Sequence, residues 1–257
     1  MSGRLDGKVA IVTGAAGGQG RATAVRFAKE GAALAITDID GAGLEQTAAL
    51  IGATGAACFT ACGDVSSSAH VDAFVAGVVD RFGRIDVLHN NAGTLGESRP
   101  VTELSEDEWD RVMRVNAKSQ FLLIRQVVPH MRKAGGGSII NVASIAAVRG
   151  FTNLAAYCAS KGAVMALTTA LALELGPDNI RVNGLIPGSI DTAMPRDYLA
   201  SFPEAERPPA EAAWGRHIIR RLGTPDEAAN AVLWLASDES SFSTGMMLHV
   251  DGGWLAW

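Results

Sequence analysis

The stretch "KVAIVTGAAGGQGRATAVRFAKEGAALAITD", residues 8–38, decides the architecture. "KVAIVT" (8–13) reads as a buried strand. Gly14, Gly18 and Gly20 follow within one short turn. Residues 20–31 place Ala24, Phe27 and Ala28 at helical spacing, and Gly31 stops the helix. "ALAITD" (33–38) reads as a second strand. A strand, a helix and a second strand in this order imply parallel pairing through a right-handed crossover.

The same alternation runs outward along the chain. Helices are expected at 41–52, 67–83, 152–176 and 226–237, and strands at 56–61, 85–90, 137–144, 180–188 and 246–252. Residues 105–135 read as two joined helices, with Ser105 and Glu108 spaced as a capping box. The strands are continuously apolar, as when helices cover both faces of a sheet. The expected fold is α/β, a Rossmann-type doubly wound parallel sheet of about seven strands in a single domain spanning 1–257. Residues 189–224 hold Pro195, Pro203, Pro208 and Pro209. That stretch is too long for a simple connection and is a candidate substrate lid.

Composition narrows the class. The 257 residues are 48% apolar with a net charge of −5, enough for a full core without staples. No basic run points to nucleic acid. Cys58, Cys62 and Cys158 are an odd number, and no His or second Cys pair completes a metal site beside the first two. No metal is therefore expected. The N-terminus lacks the long apolar core of a secretory signal. The most apolar stretch, 163–175, reads as too short and too polar to span a bilayer. The expected location is the cytoplasm, with no membrane partner.

Gly14, Gly18 and Gly20 are spaced G-x-x-x-G-x-G, between a strand and a helix. Glycines there let the backbone turn tightly and approach a pyrophosphate at the helix N-terminus, although a plain strand–helix turn uses them too. Asp38 ends the second strand, where an acid meets the adenosine ribose hydroxyls. Its carboxylate would repel a 2′-phosphate, and no Arg or Lys stands at 14–19 or 37–42 to attract one. The expected cofactor is NAD(H).

Tyr157 and Lys161 lie one helical turn apart among small residues, "AAYCASKGAV" (155–164). A phenol is a poor base at neutral pH, and a nearby ammonium lowers its pKa. Such a Tyr exchanges a proton with a hydroxyl or carbonyl. Ser144 follows the strand 137–144, at the carboxyl edge where open α/β sheets bind ligands.

TGxxxGxG (13–20), Asp64, NNAG (90–93), Asn116, Ser144, Tyr157-x-x-x-Lys161 and PG (187–188) together resemble the short-chain dehydrogenase/reductase family. The resemblance covers essentially the whole chain. It implies Tyr157 as general acid/base, with Lys161 binding the nicotinamide ribose and holding the Tyr157 pKa down. Ser144 would stabilise the substrate oxygen, and Asn116 would hold a water in a proton relay. The cofactor would contact Gly14, Gly18, Gln19 and Gly20 at its pyrophosphate, Asp38 and Ile39 at its ribose, and Asp64 and Val65 at its adenine. Asn91, Ala92 and Gly93 would line the cleft, and Pro187, Gly188, Ile190 and Thr192 would hold the nicotinamide.

By family position, Leu95, Ala146, Phe151, Met194, Tyr198 and Trp214 are candidates to line the substrate pocket. Most are apolar, so a hydrophobic or cyclic secondary alcohol or ketone is expected. Arg149 either pairs with a substrate carboxylate or lies on the surface. The aromatic C-terminus, "GGWLAW", suggests exposed Trp254 and Trp257 at an interface. The resemblance implies a homotetramer, or failing that a homodimer, in which Trp254 reaches a neighbour's pocket. Other readings stay open. They are a non-catalytic NAD(H) sensor, a lyase or epimerase, and an enzyme whose tightly held NAD needs an external electron acceptor, as "GQGR" (18–21) suggests.

Overall fold

The computed structural model describes residues 3–200, 202, 204, 209 and 216–256. Seven strands form one parallel sheet, in the order β3-β2-β1-β4-β5-β6-β7. They are β1 (Val9–Thr13), β2 (Ala33–Asp38), β3 (Cys58–Cys62), β4 (Val87–Asn90), β5 (Gly137–Val142), β6 (Ile180–Pro187) and β7 (Met247–Val250). The helices are α1 (Gly18–Lys29), α2 (Gly41–Gly52), α3 (Ser68–Phe82), α4 (Glu106–Met113), α5 (Ser119–Ala134), α6 (Ala155–Leu175), α7 (Ala193–Ala200) and α8 (Pro225–Ala236). Every strand expected from the sequence is present, with ends shifted by a few residues.

Alternate residues of each strand feed two cores. Ala10, Val12, Leu34 and Ile36 pack against Phe27, Leu44, Ile51 and Val232, so α1, α2 and α8 cover one face. Val9, Ile11 and Leu88 pack against Phe74, Val78, Leu123 and Leu175, which puts α3, α5 and α6 on the other. This two-sided burial explains the uninterrupted apolar strands. After β3 the chain crosses back to place β4 on the far side of β1. Crossovers leave in opposite directions from that point, and a crevice opens at the carboxyl ends of β1 and β4.

Two local expectations need correction. The lid stretch is not wholly irregular, because 193–200 form α7. Pro195 sits in its first turn, where a missing N–H costs no helical bond. Pro203 and Pro208 lie outside the described residues. At α4, Ser105 accepts from the Glu108 N–H at 3.2 Å, but the Glu108 carboxylate turns to Arg111 at 2.6 Å and the Glu97 N–H at 2.8 Å. The reciprocal capping box forms instead at α8, between Thr224 and Glu227. Ala155–Asp178 is long and apolar enough by composition to cross a membrane. In the fold this segment is α6 with the 3₁₀ turn Gly176–Asp178 that follows it, and the buried face of α6 lies in the core and carries Lys161.

α4 and α5 are joined by a π-helical turn at Arg114–Lys118, as the two-helix reading of 105–135 anticipates. α6 is fixed to the sheet by a buried polar chain. Asn90 donates to Asn141 at 2.9 Å, Asn141 donates to Thr168 at 3.0 Å, and Thr168 donates to the Val164 carbonyl at 2.8 Å. Buried hydrogen bonds of this kind fix one register where apolar packing tolerates several, although Asn90 Oδ1 itself has no partner among the described residues.

Candidate active site

The glycine turn is held by groups from four directions. Asn91 Nδ2 donates to the Gly14 carbonyl at 3.1 Å, and Thr47 donates to the Ala15 carbonyl at 2.7 Å. Arg21 donates to the Ala16 carbonyl, and Asp38 accepts from the Ala16 N–H at 2.9 Å. Gly14 and Gly18 adopt φ values of 63° and 51°, in the left-handed region that favours glycine. A Cβ on Gly20 would collide with the Gly14 carbonyl. At the start of α1, the N-cap Gly17 offers no side-chain cap, and the first turn has no acid. Those N–H groups and the helix dipole are left for an anion.

This turn forms one end of a cleft of about 380 Å³. Gly14, Gly18, Gln19, Asp38, Asn91, Ala92, Gly93, Ser144, Tyr157, Lys161, Pro187, Gly188, Ile190 and Thr192 line it, with Thr192 against Gly18. The cleft thus gathers most of the residues expected from sequence, together with Met194. Gly20 lies beneath it. Asn116 is fully buried. Ile39 is exposed, Val65 is buried, and the Asp64 carboxylate caps its own turn by accepting from Ser66 N–H and Oγ at 2.8 and 2.7 Å. None of these last three lines the cleft.

A second cavity of about 650 Å³ adjoins the first at Gly93, Ala193 and Met194. Leu95 and Tyr198, two of the candidate pocket residues, line it together with Glu97, Ser98, Arg99 and Asp197. Its wall therefore carries charged and polar groups beside the apolar ones. Ala146 is buried against Leu154 and Tyr157, with Leu95, Phe151, Cys158 and Tyr198 packed around them. Trp214 and Trp257 lie outside the described residues. Arg149 is exposed beside the helical turn that follows Ser144.

Trp254 is not the exposed residue that the sequence suggested. It is 8% exposed and stacks on Phe151 of its own chain, with ring centroids 5.5 Å apart. The Arg216 guanidinium covers its ring at 5.5 Å. The tail folds back because Asp251 accepts from Gly253 and Leu255 N–H groups, both at 3.0 Å.

Tyr157 and Lys161 share the buried face of α6. Lys161 Nζ lies 5.8 Å from the Tyr157 ring centroid and donates to the Val142 carbonyl at 2.8 Å. Burial pushes the ammonium down to about 8. The Tyr157 hydroxyl is hydrogen-bonded to Ser144. Its pKa is raised by burial, with the Ser144 bond pulling the other way. This differs from the expectation of a phenol held low by Lys161: burial is the largest cause of the shift. Asn116 Oδ1 accepts from the Thr94 N–H at 2.7 Å, and Nδ2 donates to the Thr94 carbonyl at 2.8 Å and Ser160 at 2.9 Å. Ser160 in turn donates to the Tyr157 carbonyl at 2.8 Å. A π-helical turn is a frequent accompaniment of functional positions.

Thr47 carried no signal of its own in the sequence, and Arg21 was noted only within "GQGR"; both reach the turn from outside the glycine motif. The cavity wall at 97–99 was equally silent, because exposed polar loop residues look alike.

A parallel sheet with its crevice at β1 and β4, a glycine turn on α1 and a buried Ser–Tyr–Lys group define a nucleotide-dependent oxidoreductase fold. A family model described as enoyl-(acyl carrier protein) reductase matches residues 14–255. The chain belongs to the short-chain dehydrogenase/reductase family. It is 38% identical to levodione reductase of Leifsonia aquatica over 253 residues, covering 97% of this chain and 95% of that one. It is 41% identical to cyclopentanol dehydrogenase of Comamonas testosteroni over 254 residues, 99% of each chain. The crystal structure of carveol dehydrogenase from Mycobacterium avium in complex with NAD matches with a TM-score of 0.94, at 33% identity, over 99% of this chain and 100% of that one.

Proposed function

We propose that this protein is an NAD(H)-dependent oxidoreductase that interconverts secondary alcohols and ketones, with a hydrophobic or cyclic substrate. The observation that carries the reading is the hydrogen-bonded Ser144–Tyr157 pair in the cleft, with Lys161 buried beside it. The cleft residues fit NAD(H). The uncapped start of α1 suits a pyrophosphate, and Asp38 faces the cleft as an acceptor for ribose hydroxyls. The relatives named above act on levodione, cyclopentanol and carveol by their names, and the last was solved with NAD.

Bound NAD supplies the hydride acceptor, and NADH the hydride. The chain supplies the proton and the placement. In the oxidation direction Tyr157 Oη accepts the substrate hydroxyl proton. In reduction it returns that proton to the developing alkoxide. Ser144 Oγ donates to the same substrate oxygen and stabilises its charge. Lys161 keeps a positive charge near the phenol and would bind the nicotinamide ribose. Its path to solvent would run past Asn116, which lies across Gly93 from it. A Cβ on Gly93 would meet Asn116 Oδ1 at 3.2 Å and Lys161 Nζ at 3.4 Å. Asp64 and Val65 would hold the adenine edge, and Pro187, Gly188, Ile190 and Thr192 the nicotinamide.

Residues 189–224 act as the lid in this reading, with α7 over the second cavity. The working assembly is a cytoplasmic homotetramer. The test is NADH absorbance with NAD and a panel of cyclic, aromatic and aliphatic secondary alcohols. Turnover with cyclic alcohols and NAD, and little with NADP, is the expected result. Turnover only with NADP would remove Asp38 from its assigned role. Binding of NADH without turnover on any alcohol or ketone would favour a sensor.

A further inference from the structure

The segment leaving β6 is held from behind by the returning arm of the lid. Gly188 N–H donates to the Val250 carbonyl at 3.0 Å. Gly223 N–H donates to the Ser189 carbonyl at 3.0 Å, and Asp191 N–H to the Gly223 carbonyl at 2.8 Å. Ile190 and Gly223 pair as a parallel bridge. These links are all backbone to backbone. The Ser189 N–H differs: it donates to Nε2 of His217 at 3.3 Å.

His217 is buried, and its Nδ1 lies 2.9 Å from the Arg221 carbonyl. A carbonyl only accepts, so Nδ1 carries the proton and Nε2 presents its lone pair to Ser189. Both ring nitrogens are used, and the imidazole is neutral. The ring lies directly behind Gly188, where a Cβ would come within 2.8 Å of Nε2. On its other side it meets Gly252, whose Cβ would lie 3.5 Å from the ring. Ile219 N–H donates to the Gly252 carbonyl at 3.0 Å, which seats the same arm on the tail.

We propose that His217 is a positioning residue for the turn 187–192. Its neutral imidazole ties the lid's returning arm to the Ser189 N–H and thereby sets where Gly188, Ile190 and Thr192 stand in the cleft. The proposal rests on the reading of that turn as the nicotinamide side of the cofactor. An error there would misplace the reacting end of the cofactor and leave the adenosine end alone.

The test compares His217→Gln, which keeps an acceptor at the reach of Nε2, with His217→Met, which has similar length and no acceptor. Dissociation constants for NADH and for ADP-ribose, which lacks nicotinamide, are measured beside kcat and KM. His217→Met is expected to weaken NADH binding about 10-fold, the scale of one unsatisfied buried donor, and to lower kcat, with ADP-ribose binding unchanged. His217→Gln should recover most of both losses. Equal behaviour of Gln and Met, or equal loss of ADP-ribose and NADH binding, would overturn the proposal. His217→Asn, which can keep a donor for the Arg221 carbonyl but leaves Ser189 unpaired, serves the same comparison where Met does not fold. Thr192→Ala separates the two levels. If it changes NADH but not ADP-ribose binding while the His217 variants change neither, the proposal fails alone. If it leaves the two affinities in their wild-type ratio, the nicotinamide reading fails and takes the proposal with it.

Discussion

The glycine end of the cleft and the second cavity beside it are built differently. At the glycine end, the carbonyls of residues 14–16 and the Ala16 N–H are all engaged by Asn91, Thr47, Arg21 and Asp38. At the second cavity, where the proposed substrate would sit, the wall is a surface loop and a short helix stapled by exposed ion pairs, Glu97–Arg99 at 2.7 Å and Asp191–Arg196 at 2.6 Å. Exposed pairs of this kind contribute about 0–1 kcal/mol each. The first is a fixed socket for a constant ligand. The second can be rebuilt by a few substitutions, which suits a fold whose substrates vary.

Breaking the socket should produce the largest effect on cofactor binding. Gly20→Ala drives a Cβ into the Gly14 carbonyl. NADH affinity is expected to fall at least about 100-fold, or ~3 kcal/mol, in a fluorescence titration. An affinity within a few fold of wild type would mean the turn is looser than described.

Lys161 should leave a mark on stability as well as on turnover. Its folded value of about 8 lies below its ordinary 10.5 because of burial. The unfolded chain therefore holds the proton more tightly, and stability should rise as pH goes from about 8 to 10.5. The full difference is on the order of 3 kcal/mol. Denaturant melts of wild type should show this rise, and Lys161→Met should lack it. The same value sets an activity limb. Ketone reduction needs a protonated Tyr157 and a charged Lys161, so its rate should hold below about pH 8 and fall above it.

The smallest effect belongs to the substrate wall. Arg99→Ala is expected to change the substrate KM less than about 5-fold and to leave NADH affinity unchanged, as for an exposed charge. A change in NADH affinity would show that the two regions are not independent.

Legibility in the sequence followed the same division. Strand–helix alternation, the glycines and Asp38 are local patterns, and the fold places them together. Tyr157 and Lys161 were readable from one-turn spacing, but the direction of the Tyr157 shift was not, because spacing records the neighbour and not the burial. α7 was hidden by Pro195, a breaker except in the first turn of a helix. Trp254 looked exposed because its partners, Phe151 and Arg216, come from distant segments. His217 had no local signal, since both of its bonds are to backbone groups that the sequence does not name.

The most direct measurement pairs NADH binding and turnover in Tyr157→Phe. NADH affinity within about twofold of wild type, with turnover reduced by at least ~1000-fold, is the predicted result for loss of the proton-transferring group alone. Turnover near the wild-type rate would contradict the account and move the acid/base role away from Tyr157.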